Sequence, residues 1–551
     1  MSVELHFNQQ HTHVPPGASL FDYAETLGIR VPTSCRKNGK CKECVVEVVD
    51  GMHLLSDRVP AEKHLKGNFR LSCSCKIVTD SGVVRCHTMR RSEMRIERHA
   101  LQLPVRAQKW ELDPEVTRDG ERILLDGEEI ARSTTPIHGL AMDLGTTTVV
   151  LRLLNLETGE VVADTSFENP QRFGGSDVMS RIHYDTEESG HLLQRTLAGY
   201  LTHAIEQFPV DPTTIYEMVV AGNSTMRDLF FGLNVYSIGQ SPYRSITELE
   251  MAEGKRTTTS LSASAKKVSL PLHPKARIYG LPIISGHVGA DAAACMLAVD
   301  LAHEDRLIAI MDIGTNTELI LGNRNKILAA SCPAGPAFEG GNISCGMPGL
   351  PGAIEKVEIA ADGSVQTGVI GDVLAEGICG SGLVDLLSEL LRTKQINPLG
   401  RFEHDEDKFV VDAKCDPPIF FTESDINELA QAKGANVAGL RVIFHDYGIR
   451  FEDLDVFYLA GGFGRHLNLE SSKRIGLIPN LNTAKILQVG NASIEGACVA
   501  LLSRTRRREL EHLVKKVVHC RLEAHPGFFD FFVEGCQFNP VDSSPMVQSV
   551  S

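Results

Sequence analysis

The chain has 551 residues, a formal net charge of −15, 42% hydrophobic residues and 23% charged residues. This composition is typical of a globular protein with about three or four domains, and the acidic balance disfavours nucleic acid as a partner. No apolar run predicts a membrane span, and no basic segment followed by an apolar core predicts a secretory signal. The 14 cysteines lie mostly apart in apolar segments, so we expect a reducing, cytoplasmic location.

Residues 1–90 are predicted to form a small α+β domain. Val3–Phe7 alternates apolar and polar residues as a strand does. Ser19–Leu27 has apolar residues at helical spacing, and Ser19 is a candidate N-cap. Further strands are expected at 45–49, 70–77 and 83–86.

Three cysteines in one loop, Cys35, Cys41 and Cys44, have the spacing C-x5-C-x2-C. With Cys73 as a distant fourth thiolate, they form the ligand set that a [2Fe–2S] cluster needs. Glycine and small residues are expected in a loop that must curl around such a cluster. Zinc is the alternative, but zinc ribbons usually pair two short C-x2–4-C knuckles. The second knuckle here would have only one residue between its cysteines, which is too tight for that pattern. The pattern therefore favours iron–sulfur.

This segment resembles the plant- and adrenodoxin-type [2Fe–2S] ferredoxins, which implies a β-grasp fold. The gap of five residues is similar to the adrenodoxin type, in which the last ligand follows Arg-Leu and one small residue. That resemblance selects Cys73. Cys75 is the alternative ligand, because two positions further along a strand it would point the same way. The basic side chains of Arg36, Lys37, Lys40 and Lys42 would offset part of the charge of the cluster.

The rest of the chain changes character twice. Residues 91–137 are charged and contain Pro, Asp and Gly breakers, which predicts a linker. From Gly139 to about residue 540 apolar strands, Gly-rich turns and long helices predict an α/β region. The tail at 541–551 is rich in Ser and Val and is predicted to be disordered.

An internal repeat divides the α/β region. Leu140–Val149 and Ile308–Leu319 each contain an apolar strand, the pattern D-[LI]-G-T-[TN]-T and a second apolar strand. The glycine allows close approach to a phosphate, the Thr hydroxyls and backbone N–H groups can donate to it, and the Asp suits Mg²⁺ or an attacking water. One such loop is a weak signal, since D-x-G-T also forms ordinary turns, but two copies are much stronger. They predict two halves, at 138–305 and 306–540.

A third element, Val456–Ala460 followed by Gly461, Gly462 and Phe463, could pass against an adenosine. The order of these elements resembles the actin, sugar-kinase and heat-shock-chaperone ATPase superfamily. The resemblance implies two ribonuclease-H-like halves that bind ATP or ADP with Mg²⁺. Asp143 and Asp312 would position Mg²⁺ and water, Asp312 being the better candidate for the catalytic carboxylate. Phosphate contacts are implied for Gly145, Thr146, Thr147, Gly314, Thr315 and Asn316, adenosine contacts for Gly461, Gly462 and Phe463, and a ribose or adenine contact for Glu339.

A ferredoxin domain ahead of this ATPase fold resembles the reductive activators of corrinoid proteins, which also share the segments AGNSTM, SGHVGAD, PAGPAFEGG and AGGFG. The resemblance implies an ATP-dependent enzyme that returns one electron to the stalled Co(II) corrinoid protein of a methyltransferase system and restores Co(I). An upstream electron donor would reduce the cluster. Some members have a separate middle domain that contributes to their dimers, and residues 91–137 are short in comparison. Whether this chain forms a homodimer therefore stays open.

Two other functions remain open from the residues. A redox-regulated small-molecule kinase would use the same nucleotide loops and needs a substrate-specific base. A ferredoxin-type electron carrier would use the nucleotide-binding part only for regulation. An α/β protein with Gly-rich turns and no nucleotide is the plainest alternative for the region after Gly139.

Overall fold

The computed structural model of the chain describes residues 2–35, 37–90, 103, 111–188, 190–403, 407–415 and 417–542. The described residues divide into two compact units. The first unit contains those within 1–96, 112–281 and 501–504, and the second contains those within 97–111, 282–500 and 505–551. None of the described helices is both long enough and apolar enough to cross a membrane.

The first unit begins with a five-stranded mixed sheet and one helix. Its elements are β1 (Val3–Phe7), β2 (Gln10–Val14), α1 (Leu20–Thr26), β3 (Val45–Asp50), β4 (Phe69–Leu71) and β5 (Val83–Thr88). The strand order is β2-β1-β5-β3-β4, with β1 and β5 parallel. Ser19 caps α1 as predicted, since its side chain accepts from the N–H of Asp22 and the Asp22 carboxylate accepts in return. This architecture confirms the predicted β-grasp domain.

Two predictions for the first unit are wrong in part. The strand expected at 70–77 ends at Leu71, because the N–H groups of Ser74 and Cys75 both donate to the Leu71 carbonyl and turn the chain. The segment predicted as a linker contains a three-stranded antiparallel sheet. Its strands are β6 (Val116–Asp119), β7 (Arg122–Leu125) and β8 (Glu128–Arg132), joined by tight turns with positive φ at Gly120 and Gly127. Nearly all of residues 91–110 lie outside the described part.

The tail is also shorter than predicted. Val541 is buried, and its carbonyl accepts from the N–H of Asn480. The Asp542 carboxylate accepts from the Asn480 side-chain amide at 3.0 Å. The predicted disorder can therefore apply only to residues after 542, which lie outside the described part.

A six-stranded sheet follows in the first unit. Its strands are β9 (His138–Leu144), β10 (Thr148–Asn155), β11 (Val161–Glu168), β12 (Ile215–Gly222), β13 (Leu261–Ser264) and β14 (Arg277–Gly280), in the order β11-β10-β9-β12-β14-β13. The accompanying helices are α2 (Val178–Glu187), α3 (Leu192–Glu206), α4 (Ser224–Phe230) and α5 (Ile246–Ala252). The central strand β12 is buried at every position, as expected of a strand covered on both faces.

The second unit is built on another six-stranded sheet. In chain order the described elements are α6 (Ala290–Ala298), β15 (Ile308–Asp312), β16 (Thr317–Asn323), β17 (Lys326–Cys332), β18 (Ala353–Ile359), β19 (Val365–Val369), β20 (Gly377–Ile378), α7 (Gly380–Arg392), β21 (Lys408–Asp412), β22 (Ile419–Thr422), α8 (Glu423–Tyr447), β23 (Val456–Ala460), α9 (Leu469–Arg474), β24 (Ile486–Gly490), α10 (Ala492–Leu502), α11 (Arg504–Leu513), β25 (Val517–His519) and α12 (Phe528–Gly535). The order in the large sheet is β24-β23-β15-β16-β17-β25.

The two large sheets share one topology. In the first, β9 pairs antiparallel with β10 and parallel with β12. In the second, β15 pairs antiparallel with β16 and parallel with β23. Each half therefore places its phosphate loop in the hairpin after the central strand, as the repeat predicted. The duplicated ribonuclease-H-like fold is confirmed.

The compact units divide the chain after Leu281, whereas the repeat placed the boundary between the halves at residue 305. Helix α6 belongs to the second unit because it packs closely on α10. A Cβ built at Gly496 of α10 would lie 1.9 Å from the Ala294 carbonyl oxygen of α6. From the sequence alone, a glycine inside a helix does not reveal such a contact, because the neighbouring helix is not known.

We predict that Gly496→Ala destabilises the protein by about 1–3 kcal/mol, the usual cost of overpacking. The atom in the way is a backbone oxygen, which cannot move aside as a side chain can. Thermal or urea unfolding followed by circular dichroism measures the change. Gly349→Ala is the control, since its Cβ would meet only Ile370 at 3.9 Å. If Gly496→Ala raised stability, as alanine does in an uncrowded helix, the close packing would be refuted.

Candidate cluster and nucleotide sites

The structure brings two of the four predicted cluster ligands into direct contact. The Sγ atoms of Cys44 and Cys73 are 3.3 Å apart. The pKa of Cys73 is lowered to about 6, and this contact is the largest cause. The same contact, together with burial, raises the pKa of Cys44. The Ser74 side chain and the Gly39 N–H also favour the Cys73 thiolate.

The cysteine loop directs its backbone N–H groups at sulfur. Burial raises the pKa of Cys35, but hydrogen bonds from the backbone and side chain of Cys41 and from the N–H groups of Asn38 and Lys40 outweigh it, giving a pKa of about 7. Gly39 makes the loop tight, with φ of +72° and its Cβ position 3.4 Å from the Ser74 hydroxyl. Thiolate-stabilising N–H groups in a glycine-bearing loop fit an iron–sulfur cluster.

Cys75 and Cys86 are the two other thiols of this domain. Cys75 is fully buried, and burial raises its pKa to about 12. Cys86 lies inside β5, and burial raises its pKa as well. Because the chain turns after Leu71 instead of continuing as a strand, the argument that Cys75 points the same way as Cys73 no longer applies. Cys73, and not Cys75, lies against Cys44.

A buried ion pair supports this arrangement. Arg70 and Glu62 are almost fully buried, with Nε and Oε1 2.8 Å apart. The Glu62 carboxylate also accepts from the N–H groups of Val59 and Leu71. One residue further on, the N–H and hydroxyl of Ser72 both donate to the Cys44 carbonyl. The ion pair thereby fixes the segment that presents Cys73.

Within the first unit, the cysteine loop also contacts helix α3 and its surroundings. Arg195 of α3 donates to the Cys41 carbonyl at 2.8 Å and lies 3.7 Å from the Glu43 carboxylate. Lys42 pairs with Glu188 at 3.7 Å. Sequence reasoning missed these contacts, since nothing in a single sequence links residues about 150 positions apart.

The basic residues of the loop differ from the expectation. Lys37 pairs with Asp22 at 2.8 Å and with Glu25 of α1. Since Lys42 also pairs with an acid, these two side chains are already partly neutralised by carboxylates. Arg36 lies outside the described residues.

The first predicted phosphate loop is the hairpin between β9 and β10. Gly145 donates to the Thr148 carbonyl at 2.9 Å, and a Cβ at Gly145 would lie 2.8 Å from that same oxygen, so only glycine fits. Asn169 donates two hydrogen bonds to the loop. Its backbone N–H donates to the Thr147 carbonyl, and its side-chain amide donates to the Gly145 carbonyl. Asp143 is the last residue but one of β9, and Thr146 is buried.

The second phosphate loop lies between β15 and β16 and includes Gly314 and Asn316. Asp312 ends β15, and the Cys295 thiol of α6 donates to its Oδ2 at 3.4 Å. A Cβ at Gly461 would lie 2.8 Å from Asp312 Oδ1, so the adenosine loop runs directly past this carboxylate. The structure thus brings the predicted Asp312 and Gly461 together.

Two further carboxylates lie near Asp312 and were absent from the predicted site. Glu318 of β16 is buried, and its pKa is raised well above the ordinary value by burial and by the charges of Asp291 and Asp312. Hydrogen bonds from the Ser331 hydroxyl and from the backbone of Glu318 itself act in the opposite direction and lower this pKa. Such repulsion is relieved by a bound cation, which is the chemistry of a Mg²⁺ site.

Glu339 joins the second phosphate loop from another element. Its carboxylate accepts from the Thr315 hydroxyl, and the Gly335 N–H donates to the Thr315 carbonyl at 2.8 Å. Both contacts tie the loop at 335–339 to the phosphate loop.

Phe463, the last of the predicted adenosine contacts, lies close to the first residue of α7. A Cβ at Gly380, the first residue of α7, would lie 1.9 Å from the Phe338 carbonyl oxygen and 2.5 Å from the Phe463 ring. The rings of Phe338 and Phe463 are 6.0 Å apart. Gly462 has an open Cβ position. Gly380 and Phe338 lie in motifs that are visible in the sequence, but only the fold shows that they are in contact.

Comparisons with known proteins agree with this geometry. The family model described as "C-terminal domain of RACo the ASKHA domain" matches 306–549, "RACo middle region" matches 138–304, and "2Fe-2S iron-sulfur cluster binding domain" matches 4–78. The chain is thus a [2Fe–2S] ferredoxin domain joined to an ASKHA, or actin-like ATPase, domain. The "RACo middle region" match covers the stretch predicted as the first half of the ATPase fold, whereas residues 91–137 fall outside all three of these matches.

Three relatives extend over most of the chain. The corrinoid activation enzyme RamQ of Eubacterium limosum is 27% identical and covers 98% of this chain and 99% of its own length. The [Co(II) methylated amine-specific corrinoid protein] reductase of Methanosarcina barkeri is 27% identical, over 72% of this chain and 76% of its own. A solved reductive activator for corrinoid, iron-sulfur protein is 28% identical with a TM-score of 0.72, covering 98% and 99%. The chain belongs to the family of reductive activators of corrinoid proteins.

We predict that Glu62→Ala destabilises the ferredoxin domain by about 3–5 kcal/mol, because it leaves the Arg70 charge buried without a partner. Urea unfolding followed by the visible absorption of the cluster measures the loss. Glu4→Ala is the matched control, since it removes a half-exposed pair with His6 that is worth about 0–1 kcal/mol. Equal midpoints for the two variants would contradict a structural role for the buried pair.

Proposed function

We propose that this protein is an ATP-dependent reductive activator that transfers one electron from its [2Fe–2S] cluster to a Co(II) corrinoid protein and restores Co(I) for methyl transfer. The observation that carries the proposal is the presence, in one chain, of a thiolate-stabilising cysteine loop and two phosphate loops in duplicated halves. The names of the full-length relatives support the same reaction.

Cys35, Cys41, Cys44 and Cys73 are the proposed cluster ligands. The contact between Cys44 and Cys73 and the N–H groups directed at Cys35 support this set over one that contains Cys75. When bound, the cluster supplies one-electron chemistry. The chain's own contribution is to hold the four thiolates and to donate hydrogen bonds that stabilise their negative charge.

The nucleotide site is proposed to bind ATP with Mg²⁺ and to hydrolyse it. Asp312 is the proposed catalytic carboxylate, and Asp143 is its counterpart in the first unit. Asp291 adds negative charge near Asp312, and a dication there would favour the ionised form of Glu318, whose pKa is otherwise raised. Phosphate contacts are assigned to Gly145, Thr146, Thr147, Gly314, Thr315 and Asn316, and adenosine contacts to Gly461, Gly462, Phe463 and Glu339.

ATP is needed for a thermodynamic reason. A plant-type cluster has a potential of about −400 mV, and the family resemblance implies that the Co(II)/Co(I) couple of a free corrinoid lies lower. Each 100 mV of mismatch costs about 2.3 kcal/mol per electron. Binding that favours a destabilised Co(II) state, for example one that has lost an axial ligand, can supply this energy, and hydrolysis then releases the partner.

The test mixes pre-reduced protein with a Co(II) corrinoid protein from the same organism and follows the Co(I) absorption band. We expect a rise that depends on ATP and that falls about 100-fold or more in Asp312→Asn, because the carboxylate proposed to position Mg²⁺ and the attacking water is lost. Asp305→Asn is the control, since it changes an exposed aspartate that pairs with Arg324 on the surface. A rise independent of ATP would favour the electron-carrier alternative, and transfer of phosphate to a small molecule would favour the kinase.

The ligand assignment has its own test. We predict that Cys73→Ser loses most of the bound iron and the visible absorption of the cluster, because serine is a poor ligand for the softer iron–sulfur centre. Cys75→Ser is the matched control two positions along and should retain both. Iron analysis per chain after anaerobic purification measures the difference. Loss of iron in Cys75→Ser with retention in Cys73→Ser would reverse the assignment.

A further inference from the structure

Three side chains with metal-binding chemistry meet on the second unit, and neither the cluster nor the nucleotide site uses them. His445 and Asp446 lie in the last turn of α8, and His525 lies between β25 and α12. Their ligand atoms all lie within 4.8 Å of one another. Residues 80 positions apart are thus brought together with donors facing each other.

The spacing of the three donor atoms matches a tetrahedral metal site. His445 Nδ1 is 3.3 Å from His525 Nε2 and 3.3 Å from Asp446 Oδ1, and His525 Nε2 is 3.8 Å from Asp446 Oδ1. With bonds of about 2.0–2.1 Å, neighbouring ligands of tetrahedral Zn²⁺ are separated by about 3.3–3.4 Å. Two imidazoles and one carboxylate are a common ligand set for Zn²⁺ that keeps a position for water.

The ring of His525 is held in place from both sides. It stacks on Phe531 of α12 with centroids 5.9 Å apart, and it meets the ring of His445 edge-on at 5.0 Å. The Gly527 N–H donates to His525 Nδ1 at 3.1 Å, so without a metal the ring carries its proton on Nε2. With a metal at Nε2, the neutral ring carries its proton on Nδ1 instead, so the proton moves from Nε2 to Nδ1 and the Gly527 N–H loses its acceptor.

The surrounding charges favour a dication. Two neutral imidazoles and the Asp446 carboxylate give a net charge of −1. The nearby thiol of Cys520 does not add a ligand, because burial raises its pKa to about 12, and its interaction with Asp446 acts in the same direction. Two nearby cations have other partners: Lys326 donates to the Tyr447 carbonyl at 3.1 Å, and Arg441 pairs with Glu534 at 3.2 Å and lies over the Phe531 ring.

We propose that His445, Asp446 and His525 bind one divalent transition-metal ion, with Zn²⁺ as the preferred ion and water as the fourth ligand. The ion joins the C-terminal end of α8 to the segment that leads into α12. It is separate from the cluster and from the Mg²⁺ proposed at Asp312, and it does not depend on the activity of the protein.

Equilibrium dialysis of the full-length, cluster-loaded protein without a histidine tag tests the proposal, with ZnCl₂ as the probe. We expect one zinc per chain while the iron content stays constant, and a loss of affinity of about tenfold or more in His445→Ala and in Asp446→Asn. His183→Ala is the matched control, because His183 is an exposed histidine on α2 with a single carboxylate, Glu187, 3.3 Å away.

Zinc bound equally by His445→Ala and the unchanged protein would overturn the proposal. So would zinc that enters only as iron is lost, which places it at the cysteine loop, or no zinc binding at all.

A second measurement guards against misfolding of the variants. His445 is largely exposed, so His445→Ala should melt at the same temperature as the unchanged protein when a chelator is present. Added Zn²⁺ should raise the melting temperature of the unchanged protein and of His183→Ala, since a ligand of the folded state stabilises it. The same rise in His445→Ala would overturn the proposal.

Discussion

Both large sheets depend on one constraint: a carboxylate lies at the end of the central strand or one residue before it, where a glycine turn leaves room for phosphate. Asp143 is the last residue but one of β9 and Asp312 is the last residue of β15, and each precedes the turn of a hairpin whose strands are largely buried. Placing a carboxylate at such a position is costly unless a cation or hydrogen bonds compensate it. Beside Asp312, burial raises the pKa of Glu318, and the charges of Asp291 and Asp312 raise it further. A nucleotide with its cation is the natural partner for this arrangement.

The ferredoxin domain follows a different principle, because its ligands come from two distant segments. Hydrogen bonds from Ser72 to the Cys44 carbonyl join those segments, and the buried pair of Arg70 and Glu62 holds the second one in place. The loop is then contacted by Arg195 of α3 in the same compact unit. An activator of this kind needs a cluster that is rigidly held and still accessible to its partners, and Cys35 and Cys73 are the less buried of the four thiols.

Helix α8 connects the features of the second unit. It begins at a capping box formed by Thr422 and Asp425, and Asp425 also accepts from the backbone and hydroxyl of Ser344. Near its middle, Gly439 packs against the buried thiol of Cys332 in β17. Its last turn carries two of the three proposed zinc ligands. One helix therefore contacts the loops around the nucleotide site and reaches the proposed metal site at its other end.

The sequence by itself determined the elements whose chemistry is local: the cysteine spacing, the D-x-G-T repeat, the helix cap at Ser19 and the β-grasp and duplicated α/β folds. It could not determine where the strand after Arg70 ends, that Asp291 and Glu318 lie near Asp312, or that residues 116–132 form a sheet. Nor could it bring His525 to His445. Local patterns depend on neighbours within a few positions along the chain, whereas these features depend on contacts between segments whose proximity only the packing of the whole fold creates.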